Sequence, residues 1–274
     1  GATDGPMNES QIAAVNANVL HVPTVLGAVV VTYNLPSVGA TKLKFDGTLL
    51  VDIFMGRVTK WSDKRIAALN PGVTLPDIDL IVVHRSDGSG TTYIFTDYLN
   101  KFSREWKDKV GYATSVNWPV GLGGKGNEGV TQQIKQVEGA LGYVELIYAL
   151  SNNLPYAAVK NASGAFVEPS LESVTAAAAG TKLPKDTDFR VSITNAPGAG
   201  AYPIASFTWL LVHKDGKDPA KAKLLKDFLT WMITPDAQKM AGELKYAPLP
   251  AEVVQLVQPR LAELKAGGKA IASN

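Results

Sequence analysis

Between Val82 and Phe95 the chain reads VVHRSDGSGTTYIF. A β-branched run ends in Arg85. Asp87, Gly88, Ser89, Gly90, Thr91 and Thr92 follow, and an apolar, helix-like stretch begins. These are the parts of an anion cradle. A helix N-terminus presents N–H groups without intrahelical partners and a partial positive charge. Glycine lets a ligand approach the backbone closely. The hydroxyls of Ser89, Thr91 and Thr92 add donors, and the planar guanidinium of Arg85 suits a tetrahedral oxyanion. Asp87 is spaced to hold Arg85 in position. The same residues also read as a tight turn and a capped helix with no ligand, and spacing alone does not separate the two readings.

Asp4, in GATDGPM, is the second residue of interest. An aspartate among small residues ordinarily caps or turns the chain. Beside an oxyanion it has a sharper use, because a carboxylate only accepts hydrogen bonds. It repels a fully ionised anion and accepts a hydrogen bond from one that keeps a proton. Phosphate keeps protons near neutral pH and sulfate does not. Nothing in the spacing places Asp4 near Arg85.

Other chemistry finds less support. GLGGKG matches G-x-G-x-x-G at Gly121, Gly123 and Gly126, but no clear strand leads into it and Pro119 interrupts the approach, so a structural loop is expected. Lys125 precedes Gly126 rather than Ser or Thr, which excludes a P-loop. The three histidines, His21, His84 and His213, form no H-E-x-x-H pair, and the chain has no cysteine, so no metal site or cofactor is expected. Ser89 lies outside a G-x-S-x-G elbow and no histidine has an evident claim as its base, which disfavours a hydrolase. Lys+Arg number 27 against 25 Asp+Glu, a net of +2, too balanced for a bulk nucleic-acid binder. No apolar run approaches the ~18 residues of a spanning helix.

The elements that must position these residues alternate between strand and helix. VPTVLGAVVVTYNL, DIDLIVVHR, LGYVELIY and PIASFTWLLVHKD read as strands. Helices are expected after Asn8 or Ser10, from about Asp46, over DKRIAALNPG, TTYIFTDYLNKFS and TQQIKQVEG, after Asp218-Pro219, after Thr234-Pro235, and over a last segment bent at Pro259. REWKDKVG reads as an exposed helical turn. The alternation argues for an α/β architecture with largely parallel sheets. With 274 residues the chain fits one large or two medium domains, and no low-complexity linker divides it.

RSDGSGTTYIFTDYLN, NWPVGLGGKGNEGV, GALGYVELIYA, PIASFTWLLVHKD and ELKYAPLP, with GATDGPM and VPTVLGAVVV, resemble in order the periplasmic phosphate-binding proteins of high-affinity phosphate ABC transporters. The likeness runs over essentially the whole chain. It implies a two-lobed α/β fold of the type II periplasmic binding proteins, with mixed sheets flanked by helices. Hinge strands VLGAVVVTYN and PIASFTWLLV would join the lobes. Lobe 1 would comprise 1–30 and 205–274, and lobe 2 would comprise 31–204. Inorganic phosphate would lie in the cleft on Arg85, Ser89, Gly90 and Thr91, with Asp87 pairing the arginine and Asp4 accepting the phosphate proton. The implied partners are the membrane permease subunits of an ABC importer, and the implied protein is periplasmic, non-enzymatic and a monomer when complete. Receptors for sulfate or molybdate, and less readily a phosphatase, are the alternatives. Members of that family begin with a strand, a GAGATFP-type loop and a helix, then a strand and a GSSGG-type loop, which are not found here. The resemblance therefore implies a chain that opens after them, with few donors left in lobe 1, an exposed sheet edge, exposed apolar surface and weakened phosphate binding.

Overall fold

The computed structural model describes residues 1–16 and 18–271. Six strands, β1 (Ala2–Thr3), β2 (Val19–Tyr33), β3 (Ile81–Arg85), β4 (Leu122–Gly124), β5 (Ala140–Glu145) and β6 (Ala205–His213), form one sheet in the order β1-β6-β2-β5-β3-β4. The β1/β6, β6/β2 and β2/β5 pairs are antiparallel, whereas β5/β3 and β3/β4 are parallel. The sheet is thus mixed rather than largely parallel. Two small sheets flank it, one from Lys44–Phe45, Ala158–Lys160 and Phe166–Val167, the other from Asp215–Gly216, Lys265–Ala266 and Lys269–Ala270.

The length of β2 follows from its composition. Its 15 residues are β-branched and aliphatic almost throughout, and nearly all are buried, as a strand covered on both faces requires. It serves two partners in succession. Val19 to Ala28 pair with β6, with a register shift between Pro23 and Val25, and Val29 to Tyr33 pair with β5. The change falls between Ala28 and Val29.

The capping residues end up where local chemistry puts them. Asp46 accepts from Leu49 N–H at 2.9 Å, starting helix Gly47–Phe54. Asn8, not Ser10, caps helix Glu9–Ala14 in a reciprocal box with Gln11. Four further helices matter below: α1 (Gly90–Asn100), α2 (Gly126–Gln136), α3 (Leu146–Ser151) and α4 (Pro219–Met232), the last capped by Asp218. The final helix, Ala251–Leu261, continues through Pro259.

Three local expectations are corrected. GLGGKG is not a plain loop, because Leu122–Gly124 is a strand, β4, added to the sheet edge by parallel pairing with β3. LGYVELIY is a strand only to Glu145, after which α3 begins. Helix Arg104–Lys109, within REWKDKVG, is anchored rather than simply exposed, for Trp106 is wholly buried.

Beneath α1 lies an aromatic cluster. Phe95 stacks on Tyr143 at 4.4 Å and meets Phe54 edge-on at 4.8 Å, while Trp118 tilts against Phe54 at 5.6 Å. Such pairs add about 0.5–1.5 kcal/mol each beyond area burial. They tie helices Gly47–Phe54 and α1 to β5. Elsewhere α4 turns Leu224, Phe228 and Trp231 to solvent.

Gly139 sets the start of β5. Its φ is +81°, and a Cβ there would stand 2.3 Å from the Asp79 carbonyl oxygen. Its own carbonyl accepts from Ile81 N–H and from the Trp61 indole. Gly139→Ala is expected to destabilise the fold by about 3 kcal/mol, the sum of left-handed strain and a backbone clash. Urea denaturation checks this, and a loss below about 0.5 kcal/mol would contradict the geometry.

Candidate functional site

β3 delivers Arg85 to the end of the sheet, and the turn after it delivers Asp87. The guanidinium donates through Nε to Asp87 Oδ1 (2.8 Å) and through Nη2 to Oδ2 (2.7 Å), a two-point fork. Gly126 N–H, at the start of α2, adds a third donor to Asp87 Oδ1 at 3.0 Å. These hydrogen bonds, chiefly those from Arg85, hold the Asp87 carboxyl well below the usual carboxylate range. The Arg85 side chain is only 9% exposed, and Nη1 takes no acceptor among the described residues. A buried guanidinium with one free edge is poised for an anion.

Ser89 caps α1. Its Oγ accepts from Thr92 N–H at 3.2 Å and its own N–H donates to the Thr114 carbonyl at 2.8 Å. The N–H groups of Gly90 and Thr91 take no acceptor among the described residues. The Ser89 hydroxyl proton and these two N–H groups are donors without a bond. Thr91 Oγ1 receives a long bond, 3.4 Å, from Asn127 Nδ2. Thr92 does not join the cradle. Its hydroxyl lies 2.6 Å from the Tyr143 hydroxyl, which also accepts from Arg85 N–H at 3.2 Å. Tyr143 therefore fixes both ends of the turn from below, and burial pushes its phenol up to about 12.

Asp4 reaches the same place from the far side of the sheet. β1 pairs with β6, and two β6 hydroxyls grip the next residue: Thr208 Oγ1 donates to Asp4 Oδ1 at 2.6 Å and Ser206 Oγ to the Asp4 carbonyl at 3.3 Å. Asp4 packs on Gly90 so closely that a Cβ at Gly90 would be 2.7 Å from Asp4 Cβ and 2.8 Å from Oδ2. That closeness is why position 90 carries glycine. Oδ2 accepts no hydrogen bond among the described residues, so one carboxylate oxygen stands open at the N-terminus of α1. Burial raises the pKa of Asp4, against the opposing bond from Thr208.

The structure thus brings together Asp4, Arg85, Asp87, Ser89, Gly90 and Thr91. Sequence reasoning missed four supports: Tyr143, Gly126, Asn127 and Glu145. Glu145 closes β5. Its Oε1 accepts from Ala28 N–H at 3.1 Å, and its N–H donates to Asn127 Oδ1 at 3.2 Å. Burial, then the charge of Asp4, pushes its pKa from 4.5 up to about 8, against the Ala28 N–H. Two of the three histidines are held by neighbours. His21 Nε2 accepts from Met7 N–H at 3.1 Å, while His84 stacks on Trp118 at 4.9 Å. Among the described residues no group of acids and histidines is arranged to hold a metal ion, and no helix is long and apolar enough to cross a membrane.

The site is an anion-ready helix terminus with a carboxyl packed directly against it. A family model described as a PBP superfamily domain matches residues 1–236. A phosphate-binding protein PstS of Xylella fastidiosa is 46% identical over 258 residues, covering 94% of this chain and 70% of the relative. One from Methanocaldococcus jannaschii is 42% identical over 276 residues, covering 93% and 71%. The phosphate-bound structure of the high-affinity periplasmic phosphate-binding protein PfluDING superposes with a TM-score of 0.74 at 20% identity, over 94% of this chain and 77% of that one. A phosphate-binding protein from Stenotrophomonas maltophilia gives 0.71 at 19% identity, over 94% and 78%. The chain belongs to the PBP superfamily and, within it, to the PstS phosphate-binding protein family.

The raised Glu145 pKa makes stability depend on pH. Between about 4.5 and 8 the folded state holds a proton that the unfolded state has released. The contribution is full below about 4.5, is lost as pH rises towards 8, and is gone above it. The slope reaches about 1.4 kcal/mol per pH unit where the two states differ by one proton. Glu145→Gln removes this slope and keeps the acceptor for Ala28. Unfolding free energies from pH 5 to 9 should therefore fall more steeply for the wild type than for the variant. Parallel profiles would mean that Glu145 is ionised in the fold.

Proposed function

We propose that the protein binds inorganic phosphate at the N-terminus of α1 and delivers it to the membrane permease of a phosphate ABC importer. One observation carries the ligand assignment. Donors without acceptors (Arg85 Nη1, the Gly90 and Thr91 N–H groups, the Ser89 hydroxyl) share a site with one acceptor without a donor, Asp4 Oδ2. That set suits an oxyanion that still carries a proton. Sulfate and molybdate offer no proton to Asp4 at neutral pH. The PstS relatives, named as phosphate-binding proteins, support the ligand, and the transport role follows the family resemblance.

The site is read as non-catalytic. Ser89 is committed as a helix cap, and His21 and His84 are bonded to other groups. The protein is read as periplasmic, as the resemblance implies. Residues 1–30 with 205–274 are read as one lobe and 31–204 as the other. The change of β2 partner between Ala28 and Val29 supports that division, since it leaves one strand continuous through both.

Calorimetric titration with phosphate and sulfate tests the reading, and tighter or equal binding of sulfate would sink it. Arg85→Ala should weaken phosphate binding at least about tenfold, equivalent to ~1.4 kcal/mol. Wild-type affinity in that variant would remove Arg85 from the site. Asp4→Asn should narrow the preference for phosphate over sulfate, because an amide turns its NH₂ to an unprotonated oxygen. Competition titrations measure that preference, and undiminished exclusion of sulfate would place selectivity elsewhere.

A further inference from the structure

Glu145 has no part in the cradle as described, yet its position ties it there. It lies opposite Val29, where β2 exchanges β6 for β5, and its carboxyl turns back over the preceding residues of β2. A Cβ on Gly27 would stand 2.6 Å from Oε1, so the strand carries glycine where the carboxyl crosses it. Ala28 N–H is its single donor, and Oε2 receives no hydrogen bond among the described residues. One side chain separates Glu145 from the anion cradle: Asn127 accepts from Glu145 N–H at 3.2 Å and donates to Thr91 Oγ1 at 3.4 Å.

Among the described residues the titratable groups around it supply no compensating cation. Asp4 faces it from the segment after β1, and its charge acts on Glu145 directly. Tyr202, before β6, donates its hydroxyl to the Val29 carbonyl at 2.9 Å. Tyr148 of α3 donates to Glu128 of α2 at 2.9 Å. Tyr246, from the segment after helix Pro235–Glu243, is held protonated by burial and by the charges of Glu145, Asp4 and Tyr148. Arg85 is turned to Asp87. An ionised Glu145 here would be a buried carboxylate with one neutral donor, next to a second carboxyl, which is costly.

We infer that Glu145 is a further determinant of anion binding: it must hold its proton for the anion to bind, and its ionisation expels the ligand. This rests on the phosphate reading above. A neutral Glu145 adds no further negative charge behind Asp4 and the α1 terminus. An ionised one adds a like charge in a site shielded from water, where repulsion is strong. Ligand occupancy and the Glu145 proton are then linked. The pKa near 8 in the unliganded fold puts the link at mildly alkaline pH.

Glu145→Gln separates this role from a packing role, because glutamine keeps the size and the acceptor and cannot ionise. Phosphate dissociation constants are measured by calorimetry on the full chain of both proteins from pH 6.5 to 9.5. Phosphate titrates identically for both, so its own ionisation cancels in the ratio. The ratio of wild-type to variant Kd should be close to one at pH 6.5 and reach roughly tenfold at pH 9, following the ionised fraction of Glu145. A ratio constant with pH, whatever its value, overturns the inference and leaves Glu145 a structural residue. Failure of both proteins to bind phosphate overturns the phosphate reading itself, and this inference with it. A second measurement needs no variant. The carboxyl ¹³C resonance of Glu145 should titrate near pH 8 in the free protein and stay at its protonated position to higher pH with saturating phosphate. Identical titrations with and without phosphate also overturn the inference.

Discussion

The fold depends on one strand being shared by two sheet halves. β2 lends its first ten residues to β6 and its last five to β5, and it is buried on both faces over nearly its whole length. No loop connects the two halves at this point, only backbone in extended conformation. The polar groups that matter gather around the middle of that strand. Asp4 is gripped by Ser206 and Thr208 from one side, and Glu145 bonds Ala28 N–H from the other. A displacement of β2 by one residue would turn every buried side chain to the opposite face. The register of a single strand therefore fixes where Asp4 meets the α1 terminus and where Glu145 meets the middle of β2.

Around that meeting point, few groups touch the open space and many hold those groups in place. Tyr143 bonds Arg85 N–H and the Thr92 hydroxyl while its ring stacks on Phe95. Gly126 N–H and Arg85 together immobilise Asp87, and Asn127 links Thr91 to Glu145. Each member of the cradle is thus positioned by a partner on a strand or helix. Donors held in place in this way lower the ordering cost of binding.

Much of this was legible in the sequence, and the remainder shows why spacing has limits. Arg85, Asp87 and the Ser89 cap lie within five residues, where local geometry decides contacts, and they formed as read. The caps at Asp46 and Asp218 were legible for the same reason. Asp4 acquires its position only through β1 and β6, two hundred residues apart in the chain, and only the family resemblance placed it beside Arg85. Glu145 ends a run that looks like ordinary strand, and its burial depends on glycine at position 27. The three residues of β4 have no propensity for a strand, since two are glycine. Parallel pairing with β3 makes them one.

The fork between Arg85 and Asp87 has a kinetic corollary. Its positive charge is cancelled at contact distance, and the carboxyl packed against Gly90 at the same terminus, that of Asp4, is an acid. Attraction at the α1 terminus comes from oriented N–H dipoles, whose influence fades within a turn of helix, and not from a monopole felt many ångströms away. A phosphate ion in solution is therefore drawn to this terminus only weakly from afar. A short-range field of this kind leaves the encounter rate with little dependence on ionic strength. Retention, once the ion is inside, is decided at the length of a hydrogen bond.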